Sequence, residues 1–181
     1  MASEVDPTED DGHEGFANTL RAAVFGVQDG IVSTFGLVMG VAGARISAEA
    51  VLIAGVAGMV SGALSMGAGE YVSVRVQREL LEARGARPHR AADPVRAALA
   101  NAGLFVLGGA VPLLPFVLLR DLAAVTVSSV VSVGSLFLAG AALTRLTGAS
   151  PVRSGLRMLV VGGGAGVLGF LVGSLLGVTV A

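Results

Sequence analysis

Five apolar stretches, each long enough to cross a bilayer, leave this chain little choice of fold. A helix needs roughly 20 apolar residues to span a ~30 Å hydrocarbon core. Five segments qualify: 22–44, 50–74, 97–119, 122–144 and 158–181. Their apolar runs are continuous, whereas strands of a transmembrane barrel alternate apolar and polar residues. The expected fold is therefore all-α, an integral membrane protein of five transmembrane helices. Composition agrees, since 54% of the 181 residues are hydrophobic and only 14% charged, against about 25% charged in soluble domains. The chain has no Cys, which removes disulfides, thiolate metal sites and catalytic thiols.

All 12 basic residues are Arg, and their distribution sets an orientation. Arg21 precedes the first span, six Arg lie between the second and third, and three lie between the fourth and fifth. Only Arg45 and Arg120 fall on the other side. Positive residues stay inside, so the N-terminus is expected in the cytosol and the C-terminus outside or in an organelle lumen. Residues 1–15 are acidic where a signal peptide would be basic and then apolar. They read as a retained, disordered, solvated tail ahead of a five-helix domain over 16–181. The longest connection, 75–96, begins Arg-Val-Gln-Arg-Glu-Leu-Leu-Glu and can extend the second helix beyond the bilayer, while Pro88 and Pro94 limit how far. It holds no nucleotide-binding motif, and no segment outside the membrane is long enough for a domain. Neither an enzyme nor a nucleic-acid partner is expected.

Two spans carry a charge where charge is costly. Asp29 lies in the first and Glu70 near the end of the second, four residues after Met66. An intramembrane carboxylate costs about 2.5 kcal/mol or more, and usually faces a partner, a cavity or a transported ion. Asp29 is eight residues past Arg21, about 12 Å along a helix, and Met66 is nine residues before Arg75, about 13.5 Å. The spans run antiparallel, so the two residues are level. Glu70 is one turn nearer the cytosol, and Met59 continues the same stripe the other way. Carboxylate plus thioether suits a borderline transition metal such as Fe²⁺ or Mn²⁺ better than Mg²⁺ or Ca²⁺. Other readings stand beside this one. A lone Met on a transmembrane face is more often packing, Glu70 is near enough to pair with Arg75 or Arg78, and buried carboxylates also serve hydrogen-bond networks. Gly36/Gly40, Gly58/Gly62 and Gly162/Gly166 have the spacing for close helix approach. They suggest a homodimer with the first span at its interface. Ser128, Ser132 and Ser135 form a stripe expected to pack.

At these residues the chain resembles the vacuolar iron transporter family. The resemblance lies in Val24-Phe25-Gly26-Val27-Gln28-Asp29-Gly30-Ile31-Val32-Ser33-Thr34 and in Ser61-Gly62-Ala63-Leu64-Ser65-Met66-Gly67-Ala68-Gly69-Glu70-Tyr71-Val72-Ser73-Val74. The Gly-Glu-Tyr-Val-Ser form is similar to the nodulin-like and bacterial branch. The resemblance implies a homodimer that moves Fe²⁺, and often Mn²⁺, out of the cytosol in exchange for protons. The metal is then the transported substrate, and no cofactor is expected. The matching motif positions imply Asp29 and Met66 as the metal site, with Glu70 an auxiliary near the cytosolic mouth. Two departures stand out: residues 75–96 are too short for the Glu- and Met-rich cytosolic domain of plant vacuole-type members, and Gly58 occupies a position where some members have Glu. The membrane would be the inner membrane of a bacterium, or the vacuolar or another organelle membrane of a eukaryote. Competing readings are a proton-coupled exporter of an organic cation, for which Tyr71 and a few Phe make a poor aromatic cage, and a non-transporting scaffold or sensor.

Overall fold

The computed structural model describes residues 7–85 and 92–180, and all secondary structure within them is α-helical. The helices are α1 (Pro7–Gly43), α2 (Ala48–Ala83), α3 (Pro94–Leu118), α4 (Asp121–Thr147) and α5 (Pro151–Val180). Each contains a segment of 24 to 36 residues long and apolar enough to cross a membrane. Large apolar side chains face outward, with Leu64 71% and Leu122 77% exposed. That arrangement is stable against lipid tails and costly against water. The protein is an integral membrane protein.

The helices are longer than the apolar stretches that announce them. α2 continues to Ala83, nine residues past the expected end at Val74, and Arg75 pairs one turn along with Glu79 at 3.8 Å. α1 starts at Pro7, well ahead of the first apolar stretch at 22, and residues 1–6 lie outside the described residues. Proline suits a first helical position, where its missing N–H would have no partner, and its fixed φ is already helical. Hydropathy marks where a helix leaves lipid, whereas backbone hydrogen bonding continues as long as the sequence permits.

Local chemistry ends the helices. Ser47 caps α2 by accepting from the Ala50 amide at 3.3 Å. Gly148 ends α4 in the left-handed region (φ 67°), donating to the Thr144 carbonyl at 2.8 Å, a conformation that glycine adopts without a Cβ penalty. Asp93 caps α3, accepting from the Arg96 amide at 2.9 Å, with Pro94 at the first helical position. The α1–α2 and α3–α4 turns are joined across one end of the bundle by an ion pair of Arg120 with Glu49 at 3.2 Å.

α1 touches all four other helices and forms the axis of the bundle. Gly26 and Gly30 lie against the backbone of Asn101 and Phe105 on α3, and Gly108 of α3 lies against Val27. Further along α1, Gly36 and Gly40 face Ala165 and Gly169 of α5, where added Cβ atoms would stand 3.5 and 3.4 Å from carbonyl oxygens. Gly169 and Gly173 approach the Gly36 and Gly40 carbonyls in return. The stripe expected at a homodimer contact therefore packs within one chain. Phe35, Val38 and Met39 of α1, Leu113 and Phe116 of α3 and Val51 of α2 fill the core beside it. The serine stripe packs as expected at Ser128, whose hydroxyl donates to the Pro112 carbonyl at 2.8 Å and ties α4 to α3.

These contacts generate a paired prediction. A Cβ at Gly30 or Gly173 meets backbone atoms of a neighbouring helix, which cannot turn aside. Gly30→Ala and Gly173→Ala should each destabilise by about 1–3 kcal/mol, the usual cost of overpacking. Gly134→Ala meets nothing within 4 Å and should be neutral or slightly stabilising. Thermal unfolding in detergent checks this, and equal midpoints for all three variants would contradict it.

A second prediction concerns the α3 cap. The Arg96 amide, helped by the charges of Arg78 and Arg96 and opposed by desolvation, holds the Asp93 carboxyl below its ordinary range. A native value depressed in this way adds stability above the unfolded value of about 3.9, and that stability is lost as pH falls through the native value. Amide protection at Arg96 and Ala97 should drop as pH falls below the ordinary carboxylate value of about 3.9, and Asp93→Asn, which caps without titrating, should flatten that dependence. Hydrogen-exchange protection factors across this range measure it.

Candidate metal site

Between α1, α2 and α3 lies a cavity of about 360 Å³ lined by Asp29, Ser33, Thr34 and Leu37 of α1, Gly58, Gly62, Ser65 and Met66 of α2, and Phe105 of α3. The α2 residues follow from helix geometry: positions four apart share a face that drifts about 40° per step. Gly58, Gly62 and Met66 form one such row, and two glycines in it leave the space that the cavity occupies. Phe105 closes one wall, its ring Cε1 at 2.7 Å from where a Gly62 Cβ would sit.

Asp29 and Met66, read as level from their sequence depths, line this one cavity. Asp29 is half-buried. Its carboxylate has no ion-pair partner among the described residues, and the nearby Ser33 hydroxyl donates to the Asp29 backbone carbonyl at 2.6 Å instead. A carboxylate inside a membrane span without a counter-charge is costly, and it usually faces a partner, a cavity or a transported ion. Glu70 is different. It is half-buried on the next turn of the same row but does not line the cavity. Continued drift of the row accounts for its position at the margin. The alternative pairings considered for it are not made: Arg75 engages Glu79, and Arg78 donates from Nε to the Ala92 carbonyl at 3.1 Å.

The donors facing the cavity are one carboxylate, one thioether and three hydroxyls, from Ser33, Thr34 and Ser65. Among the described residues no group of three or more His, Cys, Asp or Glu is placed to hold a metal. A set this sparse suits weak, reversible coordination. The hydroxyls did not stand out in the sequence, although Ser33 and Thr34 follow Asp29 by one turn and Ser65 adjoins Met66. Phe105 left no signal, being one apolar residue in a charge-free span.

The sequence model of the VIT family matches residues 20–93 and 84–174. The chain belongs to this family. It is 43% identical over 160 residues to vacuolar iron transporter homolog 1 of Oryza sativa subsp. japonica, covering 81% of this chain and 68% of that protein. To homolog 5 of the same plant it is 45% identical over 106 residues, covering 54% and 51%. To homolog 2 it is 38% identical over 161 residues, covering 81% and 84%. The matched regions include both motif segments and the whole cavity lining.

Because the chain has no Cys, water in the cavity can be probed with single thiols. Ser65→Cys should react several-fold faster with a membrane-impermeant thiol reagent than Leu64→Cys, its lipid-facing neighbour. Labelling rates in intact vesicles measure this, and equal rates would mean that the cavity is dry.

Proposed function

We propose that this protein carries Fe²⁺ and Mn²⁺ out of the cytosol, in exchange for protons, with Asp29 and Met66 as the metal site. The observation that carries the reading is an unpaired carboxylate and a thioether facing one cavity inside a membrane bundle. Family membership, and relatives named as vacuolar iron transporter homologues, support iron as the substrate.

The chemistry follows from the donors. Oxygen and sulfur together favour a borderline divalent ion, and the absence of Cys leaves no thiolate to trap it. Metal binding needs the deprotonated carboxylate, so a proton and a metal compete for Asp29, and their competition couples opposite fluxes. Glu70, outside the cavity on the Arg-rich side, serves as the mouth where the ion first meets negative charge. That role places the Arg-rich end in the cytosol, in line with the positive-inside rule. With only one carboxylate lining the cavity of a single chain, a homodimer would supply a second, and we include that assembly in the proposal. The membrane is that of the vacuole or another organelle in a eukaryote and the inner membrane in a bacterium.

Uptake of Fe²⁺ and Mn²⁺ into proteoliposomes, with and without a pH gradient, tests the reading. Asp29→Ala should abolish uptake, and Met66→Ala should weaken it and shift preference toward oxygen-preferring Mn²⁺. Glu70→Gln should raise the half-saturating metal concentration, and uptake should fall as the outer pH drops and the carboxylates protonate. A correctly folded Asp29→Ala protein that transports at the unmodified rate would refute the site.

A further inference from the structure

At the end of the bundle opposite the Arg-rich side, α1 from Gly36 to Ile46 and α5 from Leu168 to Gly177 border a groove of about 730 Å³. Its floor is the close contact of α1 with α5 at Gly40 and Gly173, and its walls include Leu37, Ile46, Leu168 and Leu176, all exposed. No lining residue has a polar side chain. At the helical rise, Gly36 to Ala44 covers about 12 Å and Leu168 to Gly177 about 13.5 Å. Half of a ~30 Å hydrocarbon core is about 15 Å. The groove is thus as tall as one leaflet.

Arg45 stands at the outer mouth of the groove, between the lining residues Ala44 and Ile46. Only two Arg occupy this end of the bundle, and the other, Arg120, is engaged by Glu49 at 3.2 Å. The Arg45 side chain has no ion-pair partner among the described residues. Its backbone is costly as well. The Arg45 amide donates to the Ala42 carbonyl at 3.0 Å where α1 ends, with φ 57°. Glycine or asparagine is usual in that left-handed position, because a Cβ is disfavoured there. A strained residue of this kind points to a side chain kept for what it does.

We infer that the groove holds an acyl chain of a phospholipid with a net negative headgroup, whose phosphate is bound by Arg45. Length and charge together select this occupant. A helix from a second copy would run the full ~30 Å of the core, past the end of the groove, whereas an acyl chain spans one leaflet. The apolar walls take the chain, and the single unpaired cation lies at the end where the headgroup emerges. A guanidinium can hold two phosphate oxygens at once. Its long stem lies along apolar surface while its charged head reaches the headgroup layer. The inference stands apart from the transport reading and does not depend on it.

The chain has no Trp, so a single introduced Trp reports the lipid around it by fluorescence. Leu176→Trp sits on the groove wall, and Leu122→Trp, at the start of α4, is the lipid-facing control. Each protein is reconstituted in phosphatidylcholine vesicles holding a small mole fraction of phosphatidylglycerol brominated on its acyl chains, bromine being the quencher. Leu176→Trp should be quenched about fivefold more strongly than Leu122→Trp, the scale of one basic residue acting on an anionic lipid. Adding Arg45→Gln should remove that excess, and Arg45→Lys, which keeps the charge, should retain most of it. Brominated phosphatidylcholine at the same fraction should quench both sites alike. Equal quenching of the two sites by brominated phosphatidylglycerol, or an excess indifferent to Arg45→Gln, would overturn the inference. So would weaker quenching at Leu176→Trp than at Leu122→Trp by both lipids, which would mean that a second copy covers the groove. The comparison of the two Trp sites decides the matter even where an Arg45 variant fails to fold.

Discussion

The bundle depends on how closely other helices can approach α1. Lipid tails are as apolar as leucine, so burying apolar surface does little to bring transmembrane helices together. Contact between backbones does more, and α1 permits it on two sides. Gly26 and Gly30 admit α3, and Gly36 and Gly40 admit α5. With α3 and α5 drawn in, α2 meets α1 over the face that holds Asp29, and the cavity is what remains between them. The polar site is thus a consequence of packing elsewhere on the same helix. It is held at the junction of three rigid elements rather than on a loop.

That origin explains the donor set. Space beside Asp29 comes from Gly58 and Gly62 on α2, which line the cavity with it. The chain uses absent side chains to make room and uncharged oxygen and sulfur to line it. Only one lining residue, Asp29, carries a charge. A site of that kind discriminates by geometry and ligand softness more than by charge, and it releases what it binds.

Much of this was legible in the sequence, for identifiable reasons. Hydropathy gave five helices because lipid leaves few alternatives for the backbone. The pairing of Asp29 with Met66 followed from counting rise along two antiparallel rods. Glu70, expected as an auxiliary one turn nearer the cytosol than Met66, is outside the cavity lining, as residues four apart share a face only approximately. The helical start at Pro7 lies outside the apolar run because hydropathy is silent once a helix leaves lipid. Phe105 needed the arrangement of α3 against α1 and α2, which no local pattern in a charge-free span encodes. Likewise the spacing of Gly36 and Gly40 announced close contact but not its partner, which is α5 of the same chain.

α2 has a mechanical consequence. It runs unbroken from Ala48 to Ala83, about 54 Å at the usual rise, much longer than a ~30 Å hydrocarbon core. Its far third projects from the bundle, and Arg78 ties that projection to the Ala92 carbonyl at the approach to α3. A rod cannot tilt at one end alone. Met66, on the cavity wall, and the projecting end therefore belong to one continuous helix. One unbroken backbone thus runs from the wall of the polar cavity to well outside the hydrocarbon core.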